Sequence, residues 1–236
     1  MRGVRPLLFL LISGLLPGQL SAALIIGNLG PEVEVDGGPS SSYLVGQIAP
    51  NTFTAATVFQ APANDFTISG GDVLLSMSAA GSANVTIELF SNGVGDLPGS
   101  SLLTIATVNV SGTSTTTYSF GSSDTTEVFA GGELYWLVLS STTSPFVHWH
   151  RTSASTTGGP TATLPTSEGA FPTIPPFSTE NSWVASDNGF DGFARSSNFP
   201  PGQFNLTGTV IPEPGVIGLL MGAMVFGVLL LRRRRT

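Results

Sequence analysis

The chain has 236 residues, 41% of them hydrophobic and only 10% charged, with a formal net charge of −7. It has no cysteine, which excludes disulfides, a thiol nucleophile, a thiolate metal site and a lipobox. All eight basic residues are arginine, and all fifteen carboxylates except Glu213 lie between residues 32 and 191, while Arg151 and Arg195 are the only arginines between Arg5 and Arg232; a nucleic-acid partner, which needs a basic face, is excluded.

The charged fraction is far below the roughly 25% of ordinary soluble domains. Ser, Thr, Gly, Asn and Pro take its place, a mixture that favours strands and turns over helices. Residues 1–23 read as a signal peptide. Arg2 and Arg5 form a positive start, Leu7 to Leu16 an apolar run, and Ser21-Ala22-Ala23 the small residues a signal peptidase inspects. The expected cut precedes Leu24, after passage through the Sec machinery.

Residues 24–210 form the body. Val73, Leu75 and Met77 share one face, opposite Asp72, Ser76 and Ser78. Val85, Ile87 and Leu89 alternate with Thr86 and Glu88, the pattern of a half-buried strand. Ser91-Asn92-Gly93 and Asp96-Leu97-Pro98-Gly99 mark turns. Leu103 and Ile105 then occupy one phase, and Ala106, Val108 and Val110 the other; a β-bulge near Ile105 accounts for the switch. Leu134 to Leu139 is apolar on both faces and reads as a central strand. With no sustained helical period between residues 30 and 210, the expected fold is all-β: an antiparallel β-sandwich, jelly-roll-like. Residues 152–180, rich in Pro, Ser and Thr, are expected to form an extended surface loop. "FNLTGTV" reads as a last strand.

The stretch 84–106 followed by "GGELYWLVLS" at 131–140 resembles the choice-of-anchor domains. The shared pattern is a strand ending in a turn, a Pro-Gly, a second strand, then a Tyr-Trp strand. The resemblance implies architecture and carries no catalytic residues with it.

Three clusters bear on chemistry. In His148-Trp149-His150-Arg151 the two histidines project to one face of a strand, so together they can offer imidazoles to a metal, with a carboxylate from another strand as third ligand. The ordinary reading is a hydrogen-bonded strand face. Trp149 and Trp183 are the candidates for a sugar-stacking platform, whereas Trp136 belongs to the core. Asp187-Asn188-Gly189-Phe190-Asp191-Gly192 gathers oxygen ligands, Asp187 and Asp191, that suit calcium, although Asn-Gly and Asp-Gly are also plain turn signals. No Gly-x-Ser-x-Gly elbow, His-Glu-x-x-His or phosphate loop occurs, so no catalytic residue and no cofactor is expected.

Beyond the body stand Pro212-Glu213-Pro214, an apolar run at 216–231, and Arg232, Arg233, Arg234 and Arg235. As a helix the run is about 24 Å long, a short transmembrane span that arginines extend by snorkelling. Four arginines beyond it hold that end in the cytoplasm and place the body outside the inner membrane. The combination in residues 211–236 resembles the PEP-CTERM sorting signal of Gram-negative bacteria that make exopolysaccharide. The resemblance implies an exosortase as partner, removal of the tail, and transit through the inner membrane and periplasm to the cell surface or extracellular matrix. The expectation is thus an exported, non-enzymatic surface or matrix protein in contact with exopolysaccharide. Its alternatives are a carbohydrate-binding module with an aromatic site at Trp149 and Trp183, and a metal-dependent hydrolase using His148 and His150.

Overall fold

A computed structural model describes residues 22–29, 42–48, 51–151, 184–187, 194–196 and 202–212, together with Gly222. Within these residues the chain forms β1 (Ala23–Gly27), β2 (Ser42–Ile48), β3 (Asn51–Gln60), β4 (Phe66–Met77), β5 (Ser82–Asn92) and β6 (Pro98–Ser111). The remaining strands are β7 (Thr116–Gly121), β8 (Leu134–Ser140), β9 (Val147–His150), β10 (Val184–Asp187), β11 (Ala194–Ser196) and β12 (Phe204–Val210). Residues 1–21 of the expected signal peptide, the 152–180 loop and, apart from Gly222, the tail from Glu213 onward lie outside the described residues. Among the described residues no helix is long and apolar enough to cross a membrane.

The pairing order is β1-β12-β4-β9-β2-β3-β8-β5-β6, with β7 on the other edge of β4 and β10 joining β3 to β11. The fold is all-β, an antiparallel sheet curled into a half-barrel, consistent with a β-sandwich. Curling follows from long strands that change partners. β4 pairs with β12 through Phe66–Val73 and with β9 through Leu75–Met77. β2 pairs with β9 through Ser42–Val45 and with β3 through Gly46–Ile48. Gly46 stands at that second change with φ +125, and a Cβ there would come within 3.0 Å of the Thr143 carbonyl oxygen. Both facts call for glycine.

The expected alternation places the core. Val73, Leu75 and Met77 of β4 and Val85, Ile87 and Leu89 of β5 are all buried. Each such aliphatic side chain withdrawn from water stabilises the fold by about 1.5–3 kcal/mol. The phase switch in β6 is a bulge at Ile105: Ile87 pairs with Ala106 and Glu88 with Thr104, leaving Ile105 as the extra residue. Leu103 and Ile105 before it, and Val108 and Val110 after it, all reach the core. β8 lies between β3 and β5 and is buried on both faces. Tyr135, Leu137 and Leu139 enter the main core, while Trp136 and Val138 pack with Ala56 and Val58 on the other side. The Trp136 indole donates to Asn92 Oδ1 at 2.9 Å, and Asn92 Nδ2 donates to Asp96 Oδ1 at 3.0 Å, which fixes the intervening turn over the indole.

Where β1, β3 and β12 meet, polar groups are buried and satisfied. Asn28 Nδ2 donates to the Gly202 carbonyl at 3.0 Å, Asn28 Oδ1 accepts from the Phe204 amide at 2.8 Å, and the Gly202 amide donates to Thr57 Oγ1 at 3.2 Å. Satisfied in this way, the buried amide and hydroxyl lock the register of three strands.

Candidate functional site

β9 is the shortest strand of the central order, yet it carries both histidines of the chain. Its pleat sends Val147 and Trp149 inward and leaves His148 and His150 half-buried on the opposite face. β2 flanks it on one side and β4 on the other, with His148 opposite both Leu44 and Ser76 and His150 opposite Ser42.

The side chains connect diagonally. Ser42 Oγ lies 2.6 Å from His148 Nδ1, and Ser76 Oγ lies 2.8 Å from His150 Nε2, so each serine bonds the histidine that is not its register partner. Thr115 Oγ1 stands 3.3 Å from the same His150 nitrogen. The ring centroids are 6.4 Å apart, and the Phe146 ring meets His148 edge-on at 5.2 Å. Burial lowers the pKa of both imidazoles; at His150 the neighbouring His148 lowers it further. Both rings are therefore neutral at neutral pH, each with one nitrogen held by a hydroxyl.

Ser76 and His150 have the spacing of a nucleophile and its base. Ser76 is only 4% exposed, however, and among the described residues His148 is the one titratable group acting on His150. As it stands the contact ties β4 to β9.

Trp149 corrects an expectation. It is fully buried, packs edge-to-face against Tyr43 at 6.3 Å and lies 6.4 Å from Phe204, with its indole nitrogen donating to the Gln203 carbonyl at 3.0 Å. Its ring faces are spent on the core, so Trp149 offers no sugar platform. Gly202 lies against the ring so closely that a Cβ there would overlap the indole. Arg151 is also buried rather than displayed. Its guanidinium carbon sits 5.6 Å from the Tyr43 ring centroid, its backbone bridges Gly202, and Gln203 Nε2 donates to its carbonyl at 3.3 Å. Burial pushes the Tyr43 hydroxyl far above its ordinary range, and the Arg151 charge offsets part of that rise.

The other candidates fall elsewhere. Trp183 and Asp191 lie outside the described residues. Asp187 ends β10, where its backbone pairs with Thr54, and β10 pairs antiparallel with β11. Pro212 is exposed two residues after β12, while Glu213, Pro214, Arg232, Arg233, Arg234 and Arg235 lie outside the described residues. Among the described residues no three His, Cys, Asp or Glu side chains gather as a metal cluster, so the carboxylate expected beside the histidine pair is not among them.

Sequence reasoning missed the hydroxyls. Ser42, Ser76 and Thr115 come from 106, 74 and 35 residues away from the histidines they meet, and only strand register brings them there. The buried amides of Asn28 and Gln203 were equally hidden. Compared with family models, curated proteins and solved structures, the chain matches none.

Proposed function

We propose that the chain is an exported, non-enzymatic component of the cell surface or exopolysaccharide matrix, sorted by an exosortase through residues 211–236. The observation that carries the reading is one of sequence: Pro212-Glu213-Pro214, an apolar run and four arginines stand together. Prolines flanking Glu213 keep that segment extended and open to a processing enzyme. Guanidinium groups resist transfer across the hydrocarbon core, so the run inserts with Arg232–Arg235 inside and the body outside.

The body suits such a place. β12 ends at Val210, the Ile211 amide donates to the Asp65 carbonyl at 2.7 Å, and the chain leaves the sheet at an exposed Pro212. The sorting segment thus begins where the last strand is anchored. On this reading residues 1–23 are the signal peptide, and the curled sheet is a β-sandwich of jelly-roll type. Ser42 and Ser76 each bond a histidine on a neighbouring strand, which supports a structural part for these hydroxyls.

Orientation tests the reading. Protease added to intact spheroplasts that retain the unprocessed chain is expected to digest the body, residues 24–210. Replacing Arg232–Arg235 by Glu is expected to protect part of the population. A wild-type body fully protected until the membrane is lysed overturns the proposal.

A further inference from the structure

We infer that His148 and His150 form a two-imidazole binding site for a divalent transition ion of the zinc, nickel or copper class. The inference rests on the geometry of β9 and is independent of where the protein resides. Three observations carry it.

The first is commitment of the ring nitrogens. The Ser42 hydroxyl lies at His148 Nδ1, and the Ser76 and Thr115 hydroxyls lie at His150 Nε2. In the tautomers in which Ser42 and Ser76 accept the ring N–H, the lone pairs fall on His148 Nε2 and His150 Nδ1. A hydrogen bond to the far nitrogen is how a protein fixes the tautomer and orientation of a metal-binding histidine.

The second is separation. Metal–nitrogen bonds of about 2.0–2.1 Å place two imidazoles on one ion with centroids roughly 5–6 Å apart. The observed 6.4 Å is slightly above that range, and both rings already share one strand face.

The third is ligand hardness. Imidazole suits zinc, nickel and copper, whereas calcium and magnesium take oxygen ligands. With two imidazoles as the strong ligands among the described residues, water completes the shell and the site is exchangeable rather than structural.

The sequence makes the test clean, because these are the only two histidines in the chain. The full chain is purified in detergent without a histidine tag and titrated with copper(II) chloride under electron paramagnetic resonance, and with nickel(II) chloride by calorimetry. The expected result is one saturable site per chain, with two imidazole nitrogens on the same copper ion. His148→Gln or His150→Gln is expected to weaken nickel binding by at least about 10-fold. A wild-type spectrum showing no imidazole, or one imidazole on each of two separate ions, overturns the inference without any variant having to fold. So does nickel affinity unchanged in the double variant.

Discussion

At the scale of single residues, Trp149 shows why an aromatic between two histidines is not a display residue. Its ring is enclosed by Tyr43, Phe204 and Gly202, and its one polar atom is satisfied by the Gln203 carbonyl. Trp149→Ala is expected to cost about 3–5 kcal/mol, the penalty of a large cavity. Gly202→Ala forces a methyl into the rigid indole and is expected to cost about 1–3 kcal/mol. Urea unfolding measures both, and a Gly202→Ala midpoint equal to wild type contradicts the packing described. The histidines make a different prediction. Both folded-state pKa values lie below the ordinary 6.5, so the unfolded chain binds more protons between the depressed values and 6.5. Their contribution to stability is therefore complete above pH 6.5 and is lost as pH falls through the folded-state values. In chelator-containing buffer, wild type is expected to lose more stability between pH 7.5 and 5.5 than His148→Asn with His150→Gln, which replace the ring nitrogens with neutral amides. Equal losses would assign the slope to the carboxylates instead.

At the scale of elements, β6 offers the sharpest test of register. Ile105 is the extra residue that lets Leu103 and Val108 both face inward. Deleting Ile105 restores continuous register from Ser82 to Leu89 and lets Ala106 occupy its inward place, so the expected cost is that of an Ile→Ala truncation, about 2–5 kcal/mol. Inserting one alanine between Thr107 and Val108 turns Val108 and Val110 toward solvent and is expected to unfold the strand pair. Thermal unfolding of the two variants separates them, and comparable tolerance of both would refute the bulge. Elements like β5, β6 and β8 were legible because one or both faces are buried and the apolar period says so directly. β2 was not, because Gly46 interrupts its alternation where the strand changes partners. The same reasoning divides the candidate site. A two-residue period put His148 and His150 on one face from sequence alone. Their serine partners depended on which strands flank β9, and the inward turn of Trp149 depended on which face of β9 meets Phe204.

At the scale of the whole molecule, an acidic all-β body is joined through Pro212 to an apolar run with arginines beyond it. Under the proposed function this division of charge gives insertion one favourable direction, with the guanidinium cluster on the cytoplasmic side and the carboxylate-bearing body carried across. Intact-mass spectrometry of the extracellular form, from a Gram-negative host with and without a sorting transpeptidase, tests the central claim most directly. The account predicts a species that begins at Leu24 and ends within residues 211–215 when the enzyme is present, and a membrane-bound species retaining Arg232–Arg235 when it is absent. One and the same full-tailed species under both conditions would contradict it.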